Sequence, residues 1–186
     1  QIGELMHEYG DVDILWLDGG WCEAPREDIK LGEIVSMARE AQPGLIVVNR
    51  ACPGPYEDYQ TPEQSIPENQ ITTPWESCIT LTTDWGWTRY PQFKTPARII
   101  AMLSEIVAKG GSLVLGVGPS PEGLIDDNNV ARLEEIGKWL DKNGEAIYET
   151  VITEVYTNEA RDLWFTASKD GKHIYAIVPK KDGEPM

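Results

Sequence analysis

Asp18 follows residues 12–17 (VDILWL), a near-continuous apolar run of the kind required by a strand buried on both faces. In a parallel α/β sheet the reactive groups collect at the carboxyl ends of strands, and Asp18 has that place. Gly19-Gly20 let the chain turn away behind it, and Trp21 adds a flat face. An aspartate after a strand is often only a turn or cap residue, but the next helical pattern starts well downstream, which weakens that account. Arg50 stands just after a second strand, expected over 45–49 on the apolar run at 45–48 (LIVV), so on a parallel sheet it neighbours Asp18 at the same rim, as a site residue or as a plain structural ion pair. Glu63, in Thr61-Pro62-Glu63-Gln64, and Glu76, after Trp75, are the acidic candidates downstream. A general acid needs reach, which a loop over the opening supplies. Two carboxylates at one rim are what glycoside hydrolysis uses, and the seven tryptophans offer faces on which sugar rings stack. Trp21, Trp85 and Trp87 fall where rims are expected, whereas Trp16 and Trp139 read as core.

These side chains need a frame, and the pattern along the chain supplies one. Residues 2–9 have helical character and stop at Gly10. Residues 28–41 place Ile29, Ile34, Met37, Ala38 and Ala41 at helical spacing before Pro43-Gly44. A long stretch, 52–73, carries Pro53, Pro55, Pro62 and Pro67 with little periodicity; such loops are usually functional or disordered. A third strand is expected at 77–81, then the aromatic turn Trp85-Gly86-Trp87. Thr95 caps and Pro96 opens a helix over 95–109, with Ile99, Ile100, Leu103, Ile106 and Val107 on one face and Gly110-Gly111 as its stop. A fourth strand at 113–117 and a helix at 128–143 follow. From 151 the pattern turns to β alone: strands at 151–157, 162–168 and 173–178, the last two joined by a hairpin turn at Lys169-Asp170-Gly171-Lys172.

Strands alternating with helices imply an α/β fold with a parallel sheet and its helices on one outer face. An open doubly wound sheet and half of an eight-stranded barrel both fit that order. No GxGxxG or P-loop pattern follows a strand, which removes the main support for a nucleotide cofactor.

The chain's 186 residues suit one domain, or one domain and a fragment of another. With 16 basic and 31 acidic residues the net charge is -15, which repels a nucleic-acid backbone and favours a neutral or cationic partner, or simply solubility. Cys22, Cys52 and Cys78 are widely spaced and only His7 and His173 accompany them, so a zinc site is not expected. No apolar run is long enough to span a bilayer, and neither end shows a signal-like segment. Residues 1–5 already read as helix, as in a chain cut from something longer.

Five blocks then fall into one series: YGDVDILWLDGGW (9–21), VVNR (47–50), TPE (61–63), PWESCITLTTDWGW (74–87) and KGGSLVLGVGPSPEG (109–123). In order and interval they resemble the retaining α-L-fucosidases of glycoside hydrolase family 29, over roughly residues 1–150. The resemblance implies the second half of a (β/α)8 catalytic barrel over 1–150 and the start of a β-sandwich over 151–186. It implies release of L-fucose from fucosylated oligosaccharides or glycoconjugates, with no cofactor and no metal. Asp18 would be the nucleophile and Glu63 the acid/base. Glu76 would be a supporting residue and the second choice for acid/base; Arg50 would contact the sugar near the nucleophile. Trp21 and Trp85 would line the pocket, Trp85 facing the C5 methyl. The parent enzyme is expected in the periplasm or outside the cell.

Two departures stand out. The family's fucose-hydroxyl contacts come from an upstream half that this chain lacks, and neither His7 nor His173 is placed to replace them. Gly116 stands where the family's Leu-Asn-Val-Gly-Pro block has asparagine. A non-catalytic half-barrel module and a retaining glycosidase for another sugar are the competing readings. Open sheet edges would be covered by a second copy or by the upstream half.

Overall fold

The computed structural model describes residues 1–19, 28–50 and 54–181, so Trp21, Cys22 and Cys52 lie outside the described residues. The chain divides into two compact units, Gln1–Thr61 and Pro62–Met186.

In the first unit, helix α1 (Ile2–Glu8), strand β1 (Ile14–Leu17), helix α2 (Leu31–Ala41) and strand β2 (Ile46–Asn49) follow in order. β1 and β2 pair in parallel, with Leu15 opposite Val47 and Leu17 opposite Asn49. Leu15 and Val47 face the helices and share a core with Met6, Val35, Ala38 and Leu45. The Gln42 side-chain amide donates to the carbonyls of Met6 and Gly10 and accepts from the Val12 N–H, which binds the end of α1 to the end of α2. On the far side of β2, Asp58 accepts from the Val47 N–H at 2.7 Å and pairs with Arg39 at 2.8 Å, while its own N–H donates to the Val47 carbonyl.

Trp16 is not the core residue that its apolar run suggests. Trp16 alternates with Leu15 and so takes the face opposite the helices, where it is 38% exposed. In a run as uniformly apolar as ILWL, side-chain parity is unreadable until the helices show which face they cover. Trp139 is half-buried against the helix core, as expected.

The second unit holds strand β3 (Glu76–Thr80), helix α3 (Pro96–Ala108), strand β4 (Ser112–Gly116), helix α4 (Asp127–Asn143) and strands β5 (Thr150–Val151), β6 (Trp164–Ser168) and β7 (Ile174–Ile177). β3 and β4 pair in parallel, from Glu76 with Ser112 to Thr80 with Gly116. β5, β6 and β7 form an antiparallel sheet in that order. The Thr95 hydroxyl accepts from the Arg98 N–H, and Asp126 accepts from the N–H groups of Asn128 and Asn129, so both long helices start at side-chain caps. Ile99 and Ile100 of α3 pack with Leu81 and Ile136 against Leu113 and Leu115. Farther along the helix, Ala108 meets Ile147, Trp164 and Ile177, so α3 also supports the antiparallel sheet.

The strand expected over 151–157 is interrupted: Thr150–Val151 pair with β6, the Thr153 hydroxyl then bonds the Val155 carbonyl at 2.9 Å, and pairing resumes where Thr157 bridges Trp164.

Lys109, just past α3, is only 1% exposed. Its ammonium pairs with Glu105 at 2.5 Å, donates to the Pro67 carbonyl at 2.7 Å and lies 5.4 Å from the Trp164 ring centroid. Lys109→Met keeps most of the packing volume but strands the carboxylate and the carbonyl. We expect a stability loss of roughly 3 kcal/mol, read from urea unfolding of this chain. A loss within the noise of a surface substitution would show that the contacts contribute nothing net.

Candidate functional site

The parallel register of β1 and β2 places Leu17 beside Asn49, so Asp18 and Arg50 leave the pair at the same carboxyl rim. The Arg50 N–H donates to the Leu17 carbonyl at 3.0 Å and fixes the exit. Its guanidinium carbon lies 4.9 Å from the Trp16 ring centroid, and its Nε is 3.9 Å from Asp18 Oδ1. The Arg50 side chain is 13% exposed and that of Asp18 is 61% exposed. The cation is thus held against an aromatic face while the carboxylate stays open to an incoming group. Asp18 Oδ1 also accepts from the Gly19 N–H at 3.0 Å, which fixes its direction. Trp16 belongs to this site although composition and pattern assign it to the core. The available signal was spacing: on a strand, residue 16 shares a face with residue 18.

In the second unit Glu63 is not in a free loop. It forms a parallel bridge with Cys78, the Gln64 N–H donating to the Cys78 carbonyl at 2.8 Å and the Cys78 N–H to the Pro62 carbonyl at 3.0 Å. The Gln64 side chain donates to the Thr80 hydroxyl at 2.9 Å, and the Ser77 hydroxyl donates to the Ser65 carbonyl at 2.6 Å. The following residues are held by distant partners: Lys109 at the Pro67 carbonyl, Arg161 at the Glu68 carbonyl, Tyr156 at the Asn69 side chain, and Gln70 reaching the carbonyls of Ala108 and Thr153. Prolines and absent periodicity look like a loose loop in sequence; the bonds that order this one come from β3, α3 and the β-rich segment.

Glu63 Oε1 accepts a 2.8 Å hydrogen bond from the Trp85 indole N–H. Trp85 and Trp87 are 46% and 45% exposed. Lys94, which the pattern did not single out, donates to the carbonyls of Thr80 (2.6 Å) and Thr82 (2.9 Å) and secures the turn leaving β3. Burial, and secondarily the charge of Arg98, lowers its pKa below the usual lysine value. Glu76 stands at the opposite end. As the first residue of β3 it is four positions before Thr80, about 13 Å along a strand, so the structure separates it from the turn that carries Trp85.

Among the described residues no three His, Cys, Asp or Glu side chains are grouped to hold a metal ion, and no helix is long and apolar enough to cross a membrane.

The α-L-fucosidase family model matches residues 1–145. The human plasma α-L-fucosidase is 32% identical over 193 residues, covering 97% of this chain and 41% of that protein. Among solved structures, α-L-fucosidase isoenzyme 1 from Paenibacillus thiaminolyticus superposes with a TM-score of 0.79 at 31% identity, covering 90% of this chain and 43% of that one. The Thermotoga maritima α-fucosidase in complex with fucose gives a TM-score of 0.70 at 30% identity over 89% of this chain and 38% of that one. The chain therefore spans about two fifths of the length of these relatives. With a family match over more than three quarters of its residues, on a fold that those solved structures share, the chain belongs to the α-L-fucosidase family.

Proposed function

We propose that this chain carries the catalytic carboxylates of a retaining α-L-fucosidase that releases L-fucose from fucosylated oligosaccharides or glycoconjugates. Asp18 is the nucleophile. It attacks the anomeric carbon as the glycosidic oxygen leaves, giving a covalent glycosyl-enzyme. Glu63 protonates the departing oxygen and then takes a proton from the water that breaks the intermediate. Arg50, held by Trp16, contacts the sugar beside Asp18. Trp85 lines the pocket toward the C5 methyl, and Trp21, outside the described residues, adds a second wall. Glu76 serves as support and not as acid/base.

The observation that carries this reading is Asp18 itself: an exposed carboxylate at the carboxyl end of a parallel strand, with a largely buried arginine fixed beside it. The fucose complex of the Thermotoga relative supports the choice of sugar.

The two parallel pairs and their helices belong to the second half of a (β/α)8 barrel over 1–150, and residues 151–186 begin a β-sandwich. Among the described residues each of β1 to β4 pairs with one strand, which leaves edges for the upstream half of the parent enzyme to cover. The name of the human plasma relative supports a parent enzyme outside the cytosol.

The test is hydrolysis of an aryl α-L-fucoside by this chain beside a longer chain that restores the upstream half. The longer chain is expected to turn over and to release α-L-fucose first, the retained anomer. No turnover by the longer chain would overturn the reading, and preference for another aryl glycoside would move it to another sugar.

A further inference from the structure

Gly116, the departure from the family's block, has a neighbour that accounts for it. A Cβ built there would lie 3.1 and 3.3 Å from two carbons of the Trp85 ring, closer than most side chains sit. Two residues on, a Cβ at Gly118 would lie 2.6 Å from the backbone of Gly86 and Trp87. The carboxyl end of β4 is therefore a side-chain-free seat for the Trp85-Gly86-Trp87 turn. The ring resting on that seat is the one whose N–H reaches Glu63 at 2.8 Å. Thr80, the register partner of Gly116, holds Gln64 from the other side. The ring that bonds the Glu63 carboxylate and the side chain of Gln64, the next residue along the chain, are thus both held at one rung of the β3–β4 pair.

We infer that Trp85 is a positioning residue for the Glu63 carboxylate, and that Gly116 sets this function by leaving room for the indole to lie against β4. A side chain at 116 would push the ring off the strand and carry its N–H away from Glu63. The inference rests on the reading of Glu63 as acid/base; Trp85's role as a pocket wall is separate, because a wall needs the ring and not its N–H.

The contact and its catalytic meaning are tested separately. In this chain, labelled with nitrogen-15, the Trp85 indole resonance should shift when Glu63→Gln is introduced. In Gly116→Asn it should shift again, with hydrogen exchange faster by about tenfold. An indole resonance indifferent to both would overturn the inference.

In the longer chain, Gly116→Asn and Trp85→Phe should each lower kcat/KM for a fucoside with a poor leaving group at least about tenfold more than for one with a good aryl leaving group. Combined, they should do little more than either alone, since both break one contact. Equal losses on both substrates would mean a wall or a folding defect and reject the positioning role, as would fully additive losses in leaving-group discrimination. If Glu63→Ala itself lacks the leaving-group signature, the acid/base reading falls and takes the catalytic meaning with it, while the resonance experiment still reports whether the seat holds the indole on the carboxylate.

Discussion

Asp18→Asn is expected to reduce fucoside turnover in the longer chain by several orders of magnitude while leaving the unfolding midpoint within the range of an ordinary surface substitution. The two halves of that expectation have different physical origins. Activity falls because an amide cannot form the glycosyl ester, so the double displacement loses its first step. Stability holds because the Asp18 side chain is 61% exposed and its pair with Arg50 is long at 3.9 Å, a geometry that contributes little to folding. Arg50 keeps its place in the variant through the Trp16 ring and the Leu17 carbonyl. Initial rates with an aryl fucoside and a melting curve settle both halves. Retention of a substantial fraction of activity would remove Asp18 from the nucleophile's role.

The second expectation separates the two candidate acids. Glu63→Ala should slow hydrolysis of fucosides with poor leaving groups by about 10²–10⁴, since these depend on a proton donated as the bond breaks. Fucosides with good aryl leaving groups should still form the intermediate, which then accumulates because no base activates water. Added azide needs no base and should restore turnover, giving a fucosyl azide with the substrate's anomeric configuration. Glu76→Ala should show no such rescue, because Glu76 stands at the amino end of β3 while the Trp85 turn leaves its carboxyl end. Azide rescue at Glu76 with none at Glu63 would reverse the assignment.

Elements specified by local chemistry were legible in the sequence. The cap at Thr95, the proline after it and the glycine pair at 110–111 bound α3 within a residue of its observed limits, because each acts on its own backbone. The apolar runs likewise located β1 to β4 within two residues. Asp18 and Arg50 followed from those runs and one rule about strand ends. What stayed hidden was decided by distant partners. Trp16 reads as core in the sequence because a run without alternation does not say which face the helices take. The segment around Glu63 looked loose because its order comes from Ser77, Lys109, Arg161 and Gln70, residues whose nearness only folding creates. Gly116 was visible as a departure, but its sense depended on where the Trp85 ring comes to rest.

The way the 62–70 segment is held also bears on how this gene can drift. The carbonyls of Ser65, Pro67 and Glu68 each receive a donor from a different part of the fold, so one inserted codon between them would shift every later carbonyl off its donor. Surface connections usually absorb such length changes freely. Here indels should be purged from a proline-rich stretch that resembles a permissive linker. They should accumulate instead at turns closed by their own neighbours, such as the hairpin at Asp170-Gly171, where Ser168 and Lys172 supply the contacts locally.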